Sequence, residues 1–139
     1  MLSRTVLTGL IFCLSVFSGC RKNNIAQSTS QLPGQWELRT VFGSQVPGIG
    51  PNFTSGNGNI WEFTTSAYKR YTNGQVASSG TYTLSKANTF NSGIPQDAII
   101  LNGDTTLKFH FEIIKDTLTM YVGSIPADGY IAKYVKTRL

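Results

Sequence analysis

From Thr106 to Ile114 the chain reads TLKFHFEII: Leu107, Phe109, Phe111 and Ile113 alternate with Lys108, His110 and Glu112. Successive side chains of an extended strand point to opposite faces, so this run predicts a half-buried strand with the histidine on its solvated side. Seven more short runs rich in aromatic and β-branched residues read the same way: Gln35 to Phe42, Ile60 to Thr65, Ala67 to Thr72, Gly80 to Ser85, Ala98 to Leu101, Thr117 to Val122 and Tyr130 to Thr137. The joints are short. Asn73-Gly74 is a two-residue hairpin signal, Asn102-Gly103-Asp104 is a second turn, and Lys115-Asp116 falls where a reversal is needed. Short joints force neighbouring strands to run antiparallel, and eight ribbons with one apolar face each are satisfied by closing into a ring without edges. The expected fold is all-β: an eight-stranded antiparallel up-and-down β-barrel over Gly34 to Leu139. No stretch of adequate length shows a helical period.

The beginning of the chain has a different character. Met1 to Arg4 carries the terminal amine and one Arg, Thr5 to Phe17 is almost wholly apolar, and Ser18 and Gly19 are small, which is the layout of a secretory signal peptide. The apolar run of 13 residues is short of the ~20 that a spanning helix needs. Phe17-Ser18-Gly19-Cys20 resembles the bacterial lipobox, in which an apolar residue and two small ones precede a cysteine that is lipidated. The resemblance implies a leader over residues 1–19, a lipid on Cys20, and a place in the bacterial envelope, on the periplasmic side of the outer membrane. The other reading of the same residues is an ordinary cleavage site followed by a free thiol. A diacylglyceryl thioether with a further acyl chain such as palmitate makes a stable anchor where a single chain does not. Cys13 lies in the leader, so Cys20 is then the one cysteine left, and the core holds the fold without a disulfide. Residues 20–33, polar and without apolar period after the cysteine, read as a flexible tether.

Gly34-Gln35-Trp36 opens the first strand as Gly-x-Trp, and Arg138 ends the last. This is similar to the lipocalin (calycin-like) pattern, and FEIIKDTLTM followed by YIAKYVKTR resembles small bacterial lipocalin-like lipoproteins. The resemblance implies that Trp36 closes the barrel floor with Arg138 packed over it. It differs from that family in its shorter length and in having neither the long packing helix nor the disulfides.

Eight strands is the number at which a barrel is either filled by its own side chains or holds one small ligand. Alternation places Leu38, Trp61, Phe63, Tyr82, Leu84, Ile99, Leu101, Phe109, Phe111, Leu118 and Met120 on the inner face. Of these, Trp61, Phe63, Tyr82, Phe109, Phe111 and Met120 are the candidate ligand-binding residues, with hydroxyls from Tyr68, Tyr71, Tyr82 or Tyr134 beside them. The 16 residues from Gly43 to Gly58, rich in Gly and Pro, exceed what a hairpin requires and read as a mobile flap or contact loop. The expected function is binding of a small hydrophobic ligand. The alternative is a filled barrel acting as an accessory module for another envelope protein.

Other classes fare worse. The single histidine lies between Lys108 and Glu112 on the outward face and no nucleophile–base pair suggests itself, so an enzyme is not expected. There is neither zinc nor EF-hand spacing among the acidic and sulfur residues, and the Gly-rich segments do not open helices, so no metal, phosphate or other cofactor is expected. The net charge of +5 is spread along the strands without a basic stripe, which argues against nucleic acid.

Overall fold

A computed structural model describes residues 31–43, 52–88, 95–123 and 128–137. The strands are β1 (Gly34–Phe42), β2 (Ile60–Phe63), β3 (Ala67–Thr72), β4 (Gln75–Asn88), β5 (Pro95–Leu101), β6 (Lys108–Ile114), β7 (Thr117–Val122) and β8 (Tyr130–Lys136). Each pairs antiparallel with the next and β8 pairs back onto β1, giving a closed eight-stranded up-and-down barrel. The turn signals act as expected. Asn73 and Gly74 take φ of 50° and 78°, the left-handed pair that matches the twist of a tight hairpin, and they join β3 to β4. Asn102-Gly103 and Lys115-Asp116 reverse the chain into β6 and β7, with Asn102 and Lys115 also at positive φ.

The inward face carries one connected apolar core that includes every residue assigned to it by alternation. Two elements depart from simple alternation. Leu107 lies outside β6 and is 47% exposed, because the β5–β6 connection runs on to that residue. His110 is only 2% exposed rather than solvated. It pairs with Ala98 and Tyr121 on the face opposite Phe109 and Phe111, and the centre of that outer face is buried across three strands, at Ala98, His110 and Thr119. Burial, and after it the neighbouring Lys108 charge, holds the His110 pKa below the usual imidazole value.

β1 contains a bulge. Leu38 pairs with Tyr134 and Thr40 with Lys133, so Arg39 has no opposite number in β8. One extra residue shifts every later side chain to the other face. Val41, opposite Ala132, therefore turns inward, and Phe42 ends 50% exposed. β2 is only four residues long, and its pairing with β1 stops at Glu37–Ile60. Beyond that point β1 keeps β8 on one side and gains the returning loop on the other, through the Thr40–Asn52 bridge and the Phe53 amide donating to the Arg39 carbonyl at 2.8 Å.

Candidate functional site

The two ends of the barrel are built differently. At the end where β1 starts, Gln31 to Pro33 fold against the floor. Leu32 and Trp36 are fully buried, and the Trp36 indole donates to the Leu32 carbonyl at 2.8 Å. Lys136 Nζ lies 5.0 Å from the centroid of the Trp36 ring and donates to the Gln31 carbonyl at 3.2 Å. These residues, expected in the tether, thus belong to the packed unit. The cation over Trp36 among the described residues is Lys136; Arg138, like Cys20 and the leader, lies outside them.

At the opposite end a cavity of about 440 Å³ opens between β1, β2, β3 and β8. Leu38, Val41 and Phe53 line one side, Trp61 and Arg70 another, and Tyr130, Ala132 and Tyr134 the third, with Asn59, Ile60 and Tyr71 to Asn73 at the rim. Its shape follows from local structure. The bulge at Arg39 supplies Val41, the short β2 leaves a gap beside β1, and Phe53 enters from the loop. That loop, expected to be a flap, is tied down over residues 52–59. Asn57 Nδ2 donates to the Leu38 carbonyl at 2.9 Å, the Leu38 amide donates to the Asn59 carbonyl at 2.9 Å, and Arg39 reaches Ser55 Oγ at 3.3 Å. Residues 44–51 lie outside the described residues. Gly58 is at φ 71° with its α-carbon against the Asn73-Gly74 turn, where a side chain would collide with the Gly74 amide. The Gly74 amide donates to the Gly58 carbonyl, joining loop to hairpin at the rim.

Of the six candidate ligand residues, Trp61 lines the cavity. It separates cavity from core, stacking on Phe63 (centroids 5.6 Å, planes 4° apart) and meeting Phe109 edge-on at 6.0 Å. Phe63, Tyr82, Phe109, Phe111 and Met120 are packed together in the core below, outside the lining. The hydroxyls divide likewise. Tyr82 donates to the Thr64 carbonyl at 2.7 Å and the Tyr68 oxygen accepts from Asn102 at 3.1 Å, so both are engaged away from the cavity. Tyr71 donates to Glu62 at 3.1 Å from the rim. Tyr134 faces the cavity, its oxygen accepting from the Trp61 indole at 3.3 Å, and burial pushes its pKa up to about 12. Tyr130, also raised by burial, stands nearer the mouth.

Arg70 was not among the expected site residues, although AYKRYT places it two residues from Tyr68 and so on the same face. It pairs with Trp61 across β2 and β3, and its guanidinium carbon is 5.7 Å from the Trp61 ring centroid. Its charge acts on both Tyr130 and Tyr134, opposing the burial effect on each. Among the described residues the ion pairs are Arg39–Glu37 at 2.7 Å and Lys86–Asp97 at 2.9 Å, and no carboxylate pairs with Arg70. Glu37, whose pKa burial would raise, is held low by Arg39 and by amides of the loop. Glu62 accepts from Gln35 and Tyr71 on the outer face.

No group of His, Cys, Asp and Glu suited to a metal occurs among the described residues, and no described helix is long and apolar enough to cross a membrane. Comparison with protein-family models, with curated proteins and with solved structures returned no match.

Proposed function

We propose that this chain is a lipocalin-like binding protein of the bacterial envelope, anchored through a lipid on Cys20, that holds a small hydrophobic molecule at the mouth of its barrel without transforming it. One observation carries the binding reading: the roughly 440 Å³ cavity walled by Leu38, Val41, Phe53, Trp61 and Ala132. A preformed apolar recess with a few polar groups is the usual form of a small-molecule site. The lipobox-like Phe17 to Cys20 and the Gly-x-Trp at Gly34 support the anchor and the family. Burying ~250 Å² of apolar ligand at ~25 cal/mol/Å² contributes about 6 kcal/mol before association costs, which suits micromolar affinity. The test is mass spectrometry of small molecules released from protein purified out of its native membrane. An apolar compound recovered in stoichiometric amount is the expected result; protein that is empty and takes up no apolar probe contradicts it.

A second reading, an accessory module for another envelope protein, draws support from Phe42, Val76 and Leu107, which are large, exposed and near the mouth end. Co-purification of a stoichiometric protein partner, lost on replacing these three with Ser, with the cavity empty, would favour it.

A further inference from the structure

We infer that Glu37 and Arg39, which lie on β1 outside the cavity, are positioning residues for it: they hold residues 52–59 against the barrel and so keep the Phe53 ring in the cavity wall. This deepens the binding reading above and rests on it. Alternation alone does not account for the burial of Glu37. It pairs with Ile60 on one side and Val135 on the other, on the outer face of a barrel, yet it is only 4% exposed. A carboxylate withdrawn from water is costly unless a cation and hydrogen-bond donors compensate it. Here the cation comes from β1 and the donors come from the loop.

The Arg39 guanidinium meets Glu37 Oε2 at 2.7 Å, and the Gly58 amide donates to Oε1 at 3.4 Å, with the Gly56 amide directed at the same carboxylate. Gly56 and Gly58 take φ of 79° and 71°, a backbone that brings their amides round to one anion and that side chains resist. Burial by itself would raise the Glu37 pKa; Arg39 and those two amides hold it below the usual carboxylate value, so the anion is the form around which the loop folds. Arg39 serves both ends of the segment. As the bulge residue it has no partner in β8, its carbonyl accepts from the Phe53 amide at 2.8 Å, and its guanidinium reaches Ser55 Oγ at 3.3 Å. Phe53 is the only apolar side chain in residues 52–59, and it lines the cavity. Apolar burial therefore holds the segment at one point only, and polar bonds to β1 carry the rest of the attachment.

The experiment is a double-mutant cycle read by calorimetric titration of the purified full chain with decanol, a neutral apolar probe. Phe53→Ala should weaken decanol binding about five- to tenfold, as the loss of one aromatic wall implies. Glu37→Gln removes the charge that pairs with Arg39 and should weaken binding about threefold; Arg39→Gln should do the same, and Arg39→Lys should recover part of the loss. Placed on Phe53→Ala, Glu37→Gln should change the affinity by less than about twofold, because the ring it positions is already gone. Hydrogen exchange gives a second measurement: Glu37→Gln should speed exchange at the Phe53, Gly58 and Gly74 amides and leave β5 to β7 unchanged. Should Glu37→Gln lower the melting temperature enough to obscure binding, Gly58→Ala loosens the same segment from its other attachment, since a β-carbon there meets the Gly74 backbone. The same weakening is then expected, again only while the Phe53 ring is present. A full effect of either variant on the Phe53→Ala background, or no effect on the unaltered one, overturns the positioning role and leaves the cavity reading intact. Failure of the unaltered protein to bind decanol overturns the binding reading itself, and this inference with it.

Discussion

The barrel has two tryptophans that pair with each other across β1 and β2, each beside a cation, one turned to the floor and the other to the cavity, and their surroundings put the same contact to different uses. Trp36 is wholly buried, its indole proton is taken by the Leu32 carbonyl, and its lysine is tied to the Gln31 carbonyl. Among the described residues, both the Trp36 indole and the Lys136 ammonium thus have acceptors within the chain. Trp61 is nearly as buried, at 5% exposure, yet it faces a cavity, and its arginine has no carboxylate among the described residues. The contrast separates a cation–aromatic contact that seals from one that is left with bonding capacity to offer. Which of the two a given contact is depends on where the remaining donors go.

The comparison can be broken at the floor first, where the largest effects are expected. Trp36→Ala should cost about 3–5 kcal/mol of unfolding free energy, because a large, fully buried side chain leaves a cavity that cannot collapse. Denaturant titration measures this; a cost below about 1 kcal/mol would mean that the floor does not hold the barrel together. Leu32→Ala should cost roughly 2–4 kcal/mol by the same mechanism. Because Leu32 precedes β1, a negligible loss would show that the segment before the first strand is dispensable for stability.

At the mouth, pH gives the next test. Burial pushes the Tyr134 pKa from 10 up to about 12, so the folded chain keeps a proton that the unfolded chain has already lost in that interval. Stability contributed by this group is complete below pH 10 and falls as the pH rises toward 12. Tyr134→Phe should flatten that part of the decline. Alkaline unfolding curves for the two proteins, read alongside tyrosinate absorbance, would show an unchanged slope if the hydroxyl were hydrated in the folded state.

The smallest effects discriminate most finely between the two cations. Lys136→Met should destabilise by about 1 kcal/mol, losing the Trp36 contact and the bond to Gln31 together. Arg70→Met should change stability by no more than about 0.5 kcal/mol, since it removes no ion pair that the described residues make. Equal losses at the two positions would erase the distinction.

Much of the barrel was legible in the sequence. Period-two alternation located the eight strands, and Asn73-Gly74 and Asn102-Gly103 located two reversals, because these signals arise from local backbone geometry. β4 runs farther than its apolar half, starting at Gln75, since the polar stretch before Gly80 is held by the ladder with β3 rather than by burial. The site was less readable. One bulge at Arg39 moves Val41 in and Phe42 out, and nothing in QWELRTVF marks it. Phe53 comes from a loop, where there is no periodicity to read. Arg70 shares its face with Tyr68, but a charged residue in a strand reads as solvent-facing until the cavity beside it is seen. His110 shows the converse: alternation gives its face, whereas its burial depends on packing beyond the strand.

The central claim, that the mouth receives a ligand while the floor is sealed, is tested most directly by fluorescence from single-tryptophan variants. With Trp36→Phe only Trp61 emits, and with Trp61→Phe only Trp36 emits. Titration with decanol is expected to give a saturable change in Trp61 emission and none in Trp36. A change confined to Trp36, or equal changes in both, would contradict the account.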